Sequence, residues 1–305
     1  MLPTDRGGFR LFRAWGINVY LHWSWLVVAA FEIYYRKGYY SSVMWNALEY
    51  GALFGIVLLH EFGHALACRQ VGGQANEIIL WPLGGVAYVA PPPRPGAVLW
   101  SLAAGPLVNV LLVPVFLAVL FASSYFGLAQ SMPDAAGLLE TVTVINLVLL
   151  IFNMLPVYPL DGGQILRALL WFPLGRARSL LVATTIGLVG VVGFAAYAWW
   201  RQSIWMGIVT IFVAMNCWRS FQQARGLMRL AAAPRREEFA CPACKVAPPR
   251  GVSWRCEKCH QVADPFENLG LCPHCGAAEE SIPCLHCGTR SPPEQWQALP
   301  GIHSQ

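Results

Sequence analysis

The sequence predicts an all-α polytopic membrane protein of about six transmembrane helices, with a short membrane-associated β-hairpin and a small cysteine-rich C-terminal module. Three observations lead there. Of 305 residues, 56% are hydrophobic and only 12% are charged, about half the charged fraction of a soluble domain. Up to about residue 220 long apolar runs alternate with short polar joints. Beyond Pro234 the chain turns polar and proline-rich, and eight of its ten cysteines fall there as four C-x2-C pairs.

A membrane-spanning helix needs about 20 mostly apolar residues. The candidate spans are Ile17–Tyr34, Val43–Ala67, Ala97–Phe121, Thr141–Leu155, Leu180–Trp200 and Ile204–Trp218. The fourth is short and stops at Pro156. Trp23, Trp25, Trp199, Trp200 and Trp205 gather at span ends, where amphipathic rings sit at headgroup level. The first run follows Arg6, Arg10 and Arg13 without a small-residue cleavage site, so it reads as a retained span and not a signal peptide. Between the second and third spans, residues 77–96 carry β-rich halves on either side of Gly84–Gly85 and read as a hairpin, with a plain loop as the alternative. Six spans put both termini on one side. The positive-inside rule makes that side cytoplasmic, with thirteen arginines inside and only Arg36, Lys37 and Arg201 outside. The segment Gly127–Glu140, expected as an external loop, has no Lys or Arg.

Within the second span lies GIVLLHEFGHALA, residues 55–67. Ionisable groups inside a membrane helix are costly, about 2.5–3.5 kcal/mol each on insertion scales, and mark function by default. On a helix, H-E-x-x-H puts His60 and His64 one turn apart on one face, where both can bind one metal ion. Glu61 then projects beside the metal as a general acid/base. A polar contact between helices is the bland alternative, disfavoured because Val57, Leu58, Leu59, Phe62, Ala65 and Leu66 are all apolar. Two imidazoles and a carboxylate suit zinc, which in catalytic sites takes three protein ligands and keeps one position open. The segment NMLPVYPLDGG, residues 153–163, reaches the same depth on the same side. Its Asp161 is the best third ligand, with N-capping of the following helix as the competing role.

HEFGH in an early span, paired with NMLPVYPLDGG in a later one, resembles the site-2 proteases, intramembrane zinc metalloproteases. PLGGVAYV at 82–89, AGPLVN at 104–109 and LHWSW at 21–25 also look like family elements, and the resemblance covers most of residues 10–220. It implies that His60, His64 and Asp161 bind the catalytic zinc and that Glu61 is the catalytic acid/base. It further implies that Asn153 holds substrate or an oxyanion. The strand of Gly84, Gly85, Val86, Ala87 and Tyr88 would pair with an unwound transmembrane substrate. Asn109 either faces this site or belongs to a small-residue helix contact with Ala104 and Gly105. His22 has no assigned role. The implied activity is a zinc metalloendopeptidase that cuts transmembrane segments of membrane proteins near the cytoplasmic side through zinc-activated water. A prenyl-protein protease would need a downstream Glu ligand, and none stands at the right depth. A zinc transporter or membrane zinc sensor would spread polar groups along several spans.

Cys241, Cys244, Cys256 and Cys259 read C-x2-C-x11-C-x2-C, and Cys272, Cys275, Cys284 and Cys287 read C-x2-C-x8-C-x2-C. The expectation is a double zinc ribbon with two structural zincs, each held by four consecutive cysteines. His260, His274 and His286 lie beside these pairs as substitutes. Each half is too small for a core of its own, so metal would drive its folding. Cys68 and Cys217 stand apart and read as buried packing. The layout is therefore a protease domain (1–220), a basic juxtamembrane linker (221–240), the ribbons (241–290) and a tail (291–305). The tail module has no basic patch, which disfavours nucleic acid. A regulator or a substrate's cytoplasmic segment is the expected partner, beside the lipid bilayer and the substrate itself.

Overall fold

A computed structural model describes residues 8–81, 84–251, 254–268 and 270–296. It divides into two compact units, 1–221 and 222–305. The first is mostly helical with a small sheet. Strands β1 (Gly8–Ala14) and β2 (Ile17–His22) precede helices α1 (Ser24–Tyr35) and α2 (Val43–Gln70). The hairpin β3 (Gln74–Trp81) and β4 (Gly84–Ala90) follows, then α3 (Pro95–Tyr125), the short α4 (Leu128–Ser131), α5 (Pro133–Asn153), α6 (Asp161–Arg201) and α7 (Ile204–Ala232).

Among the described residues four helices are long and apolar enough to cross a membrane: α2, α3, α5 and α6. The expected first span is not one helix. Ile17 and Val19 are buried at strand spacing in β2, and α1 has only 12 residues, too few to span. The expected external loop at 127–140 is α4 plus the start of α5, so the fourth span begins at Pro133 and not at Thr141. The fifth span is the second arm of α6, which breaks after Pro173 at Gly175 (φ 76°). Its backbone there is left-handed, which glycine alone adopts without penalty. The expected sixth span falls in the first half of α7, which is not among these four, and the second half of α7 turns basic.

The expected hairpin forms as half of a four-stranded sheet in the order β1-β2-β3-β4. β2 and β3 run parallel, pairing Asn18 with Glu77 and Leu21 with Leu80, while the outer pairs are antiparallel. Gly84 and Gly85 lie inside β4, paired with Trp81 and Leu80, and do not form the turn. The connection at 82–83 lies outside the described residues, as do Arg6 and residues 297–305. One face of the sheet (Ile17, Val19, Ala75, Ile78, Leu80) packs on Val57, Phe62, Ala65 and Cys68 of α2. α2 also packs against α3 and α5. The H-E-x-x-H turn is therefore clamped between sheet and helices. At the far end of α2, buried Glu49 binds Arg36 at 2.8 Å and accepts the Tyr40 hydroxyl at 2.7 Å. His22 ends β2 stacked on Trp81, 3.9 Å between ring centroids.

The second unit holds two short hairpins, β5 (Trp254–Arg255) with β6 (Val262–Ala263), and β7 (Ile282–Pro283) with β8 (Arg290–Ser291). Trp254, Phe266, Ile282 and Trp296 form one core between them. The halves share this core, contrary to the expectation of two coreless ribbons. It extends beyond 241–290, since Arg236 binds Asp264 at 2.8 Å and Trp296 is fully buried.

Candidate active site and metal centres

α2 presents His60 and His64 one turn apart on a single face, and α6 brings Asp161 to them. His60 Nε2 lies 3.0 Å from Asp161 Oδ2 and 3.1 Å from His64 Nε2, and His64 Nε2 lies 3.4 Å from the same carboxylate oxygen. Asp161 is the first residue of α6, the cap position is Leu160, and no side chain caps the helix. The capping role weighed for Asp161 is thus not taken, and its carboxylate turns toward the histidines. The positive end of the helix dipole favours an anion there. The two glycines after it let the chain return this tightly: at Gly163 a Cβ would sit 2.5 Å from the Tyr158 backbone nitrogen.

The far nitrogen of each imidazole is already committed. His64 Nδ1–H donates to the Ser101 carbonyl at 2.9 Å, and His60 Nδ1–H donates to Asn109 Oδ1 at 2.6 Å. With hydrogens on both Nδ1 atoms, two Nε2 lone pairs and a carboxylate converge on one point. Three electron-pair donors facing each other fit a cation, and the set matches the nitrogen and oxygen ligands of a catalytic zinc with a position left open.

Glu61 is buried on the sheet side, where the Ala87 N–H donates to its Oε2 at 2.9 Å. Two glycines make these approaches feasible: a Cβ at Gly85 would overlap the Glu61 carboxyl, and one at Gly105 would overlap His64 Nε2. β4 pairs only with β3, so its other edge is unpaired among the described strands, and the Ala87 N–H that reaches Glu61 lies along that edge.

Asn109 does not face an open site. It is fully buried, and its side chain is divided between His60 and Asn146. Asn146, on α5, escaped the sequence reading; an Asn inside an apolar span, seven residues before Asn153, was the available signal. Asn153 itself ends α5, half-buried, and its side chain makes no hydrogen bond among the described residues.

The cysteines group differently from the expected pairing. Cys241 and Cys244 join Cys284 and Cys287, and Cys256 and Cys259 join Cys272 and Cys275. The outer pairs enclose the inner ones. Intervals of 11, 12 and 8 residues between successive pairs do not discriminate. Tertiary ties decide: the shared aromatic core and the Trp254 indole N–H donating to the Pro283 carbonyl at 3.0 Å. Opposed Sγ atoms lie 3.7–3.8 Å apart. A tetrahedron with zinc–sulfur bonds of about 2.3 Å has edges of about 3.8 Å. Each pair is followed by a residue with positive φ, namely Lys245, His260, Gly276 and Gly288, so all four make the same turn. His260, His274 and His286 are exposed and belong to neither cluster. The His274 backbone N–H, with that of Cys275, holds the Cys272 thiol down to about 6 against burial. Cys287 also falls to about 6, where burial is outweighed by the Thr289 hydroxyl and N–H. One thiol in each cluster thus favours the thiolate a metal requires.

The sequence profile of peptidase family M50 matches residues 50–137 and 125–196. A zinc metalloprotease of Methanocaldococcus jannaschii is 33% identical over 204 residues, 67% of this chain and 58% of that protein. Stage IV sporulation protein FB of Bacillus subtilis is 28% identical over 175 residues, 55% of this chain and 57% of that protein. The chain thus aligns with somewhat under 60% of the length of these relatives. Among solved structures, the site-2 protease of M. jannaschii superposes with a TM-score of 0.52 at 30% identity, covering 70% of this chain and 95% of that one. The convergence of His60, His64 and Asp161, the sheet against α2 and these matches agree: the chain belongs to the M50 family of zinc metallopeptidases, the site-2 proteases.

Proposed function

We propose that this protein is an intramembrane zinc metalloendopeptidase that hydrolyses a peptide bond in a transmembrane segment of a membrane-protein substrate, near the cytoplasmic side. The observation that carries the reading is the meeting of His60, His64 and Asp161 on one point with Glu61 beside them. Zinc, when bound there, lowers the pKa of water to about 7 and polarises the scissile carbonyl. Glu61 takes the proton of the attacking water and passes it to the leaving amine. The Ala87 N–H holds one Glu61 oxygen and so aims the carboxylate. The unpaired edge of β4, from Gly84 to Tyr88, accepts an unwound stretch of substrate as an added strand. Asn153 offers its amide to the bound peptide. The N-terminal strands lie at the arginine-bearing end of α2, where Arg69 donates to the Trp15 and Gly16 carbonyls, and this end is read as cytoplasmic.

The two cysteine clusters hold structural zincs, for three zincs per chain, and the ribbon module binds a regulator or a substrate's cytoplasmic segment. Zinc transport or sensing by the same residues is the second reading. Proteoliposomes separate the two: with a transmembrane reporter inserted, the protease reading expects chelator-sensitive cleavage and no zinc flux. Zinc entry without cleavage would reverse the assignment.

A further inference from the structure

Asn146 and Asn109 are both fully buried, on α5 and α3, and neither contributes a ligand to the metal centre. Their hydrogen bonds run in one direction. Asn146 Nδ2 donates to the Asn109 backbone carbonyl at 3.0 Å, and a carbonyl can only accept. That fixes Asn146 Oδ1 toward the Asn109 side chain, whose Nδ2 donates to it at 2.8 Å. Asn109 Oδ1 is therefore the atom left facing His60, and His60 must carry its proton on Nδ1. The Nε2 lone pair then points at Asp161 and His64. His64 needs no such device, because its Nδ1 meets a backbone carbonyl, which has one polarity. An amide can turn either end to its neighbour. Reversed, Asn109 would offer N–H to Nδ1, move the His60 proton to Nε2 and block the ligand position.

We propose that Asn146 is a positioning residue that, through Asn109, fixes the tautomer and aim of His60 and so sets the metal affinity of the His60–His64–Asp161 centre. This rests on the zinc-protease reading above. It joins three helices, α2, α3 and α5, to the quality of one ligand. Outer partners of metal-bound histidines are worth about 10–100-fold in metal affinity.

The test uses the full chain in detergent loaded with cobalt(II), a spectroscopic stand-in for zinc. Subtracting the spectrum of the Asp161→Ala chain removes the cysteine-bound signal and isolates the histidine centre. Asn146→Leu is expected to weaken cobalt retention at this centre against a chelator by about 10–100-fold and to shift its d–d bands. Thr143→Val removes a buried hydroxyl on the same helix that touches only the Leu139 carbonyl; it should leave the cobalt spectrum unchanged. Asn109→Asp puts a group there that only accepts, so in that background Asn146→Leu should no longer affect cobalt. Should Asn146→Leu not fold, Asn146→Ser, too short to reach the Asn109 amide, takes its place with the same expectations. Native cobalt affinity and spectrum in the position-146 variants, or equal losses with Asn and with Asp at position 109, would overturn the proposal. A wild-type chain whose spectrum does not differ from that of Asp161→Ala would instead refute the metal-centre reading beneath it.

Discussion

Glycines set how near the backbone comes to the reacting groups, and two of them act on different partners. Gly105 lets α3 pass against the His64 ring, whereas Gly85 lets β4 lie on the Glu61 carboxyl. Gly105→Ala should displace a metal ligand, lowering both zinc content and cleavage. Gly85→Ala should keep the zinc and misplace only the acid/base. A displacement of about 1 Å there costs on the order of 100-fold in rate. Metal analysis alongside reporter cleavage checks the pair, and loss of histidine-site zinc in Gly85→Ala would contradict this division. Of these residues, His60, Glu61 and His64 were legible from spacing alone, because one helical turn fixes their mutual placement. That Asp161 would meet the histidines was legible only beside the alternative that it caps α6. Asn146 and the reach of Gly85 were not, since each depends on which element packs beside α2.

At the scale of elements, α2 is held at both ends by different chemistry. Its metal end is clamped by sheet and helices, and its other end by Glu49, which joins Arg36 after α1 and Tyr40 in the connection. Burial first, then Glu49, pushes the Tyr40 hydroxyl up to about 12, so it remains a donor across the neutral range. Arg36→Ala leaves the Glu49 carboxylate buried with Tyr40 alone, a loss of about 1–3 kcal/mol. Thermal unfolding in detergent should show that loss while zinc content stays at its wild-type value; loss of zinc would mean that the two ends of α2 are coupled. The strands show where apolar patterning misleads. Ile17–His22 runs straight into α1, so composition reads the stretch as one span of 18 residues, Ile17–Tyr34. Its period-two burial is real, but the strand beside it, β3, lies more than 50 residues on. Hydropathy counts apolar residues and does not see partners at that distance. The hairpin of β3 and β4 was legible because its partners are adjacent, although its glycines serve Glu61 and not the turn.

At the scale of the whole molecule, the nested cysteine clusters make the C-terminal unit a single closure in which neither half is complete. A chain ending at residue 270 retains the first two cysteine pairs and loses the last two. Nesting predicts that it binds no ribbon zinc with four thiolates, whereas consecutive pairing would leave one such site intact; metal analysis and cobalt–thiolate absorption distinguish the outcomes. The intact chain should hold three zincs, of which one serves catalysis. In the proposed mechanism His60, His64 and Asp161 hold that zinc while Glu61 moves the proton. Its most direct test is Glu61→Gln in proteoliposomes with a transmembrane reporter, with zinc counted in the same preparation. Cleavage should vanish while all three zincs remain. Continued cleavage by that variant would contradict the account.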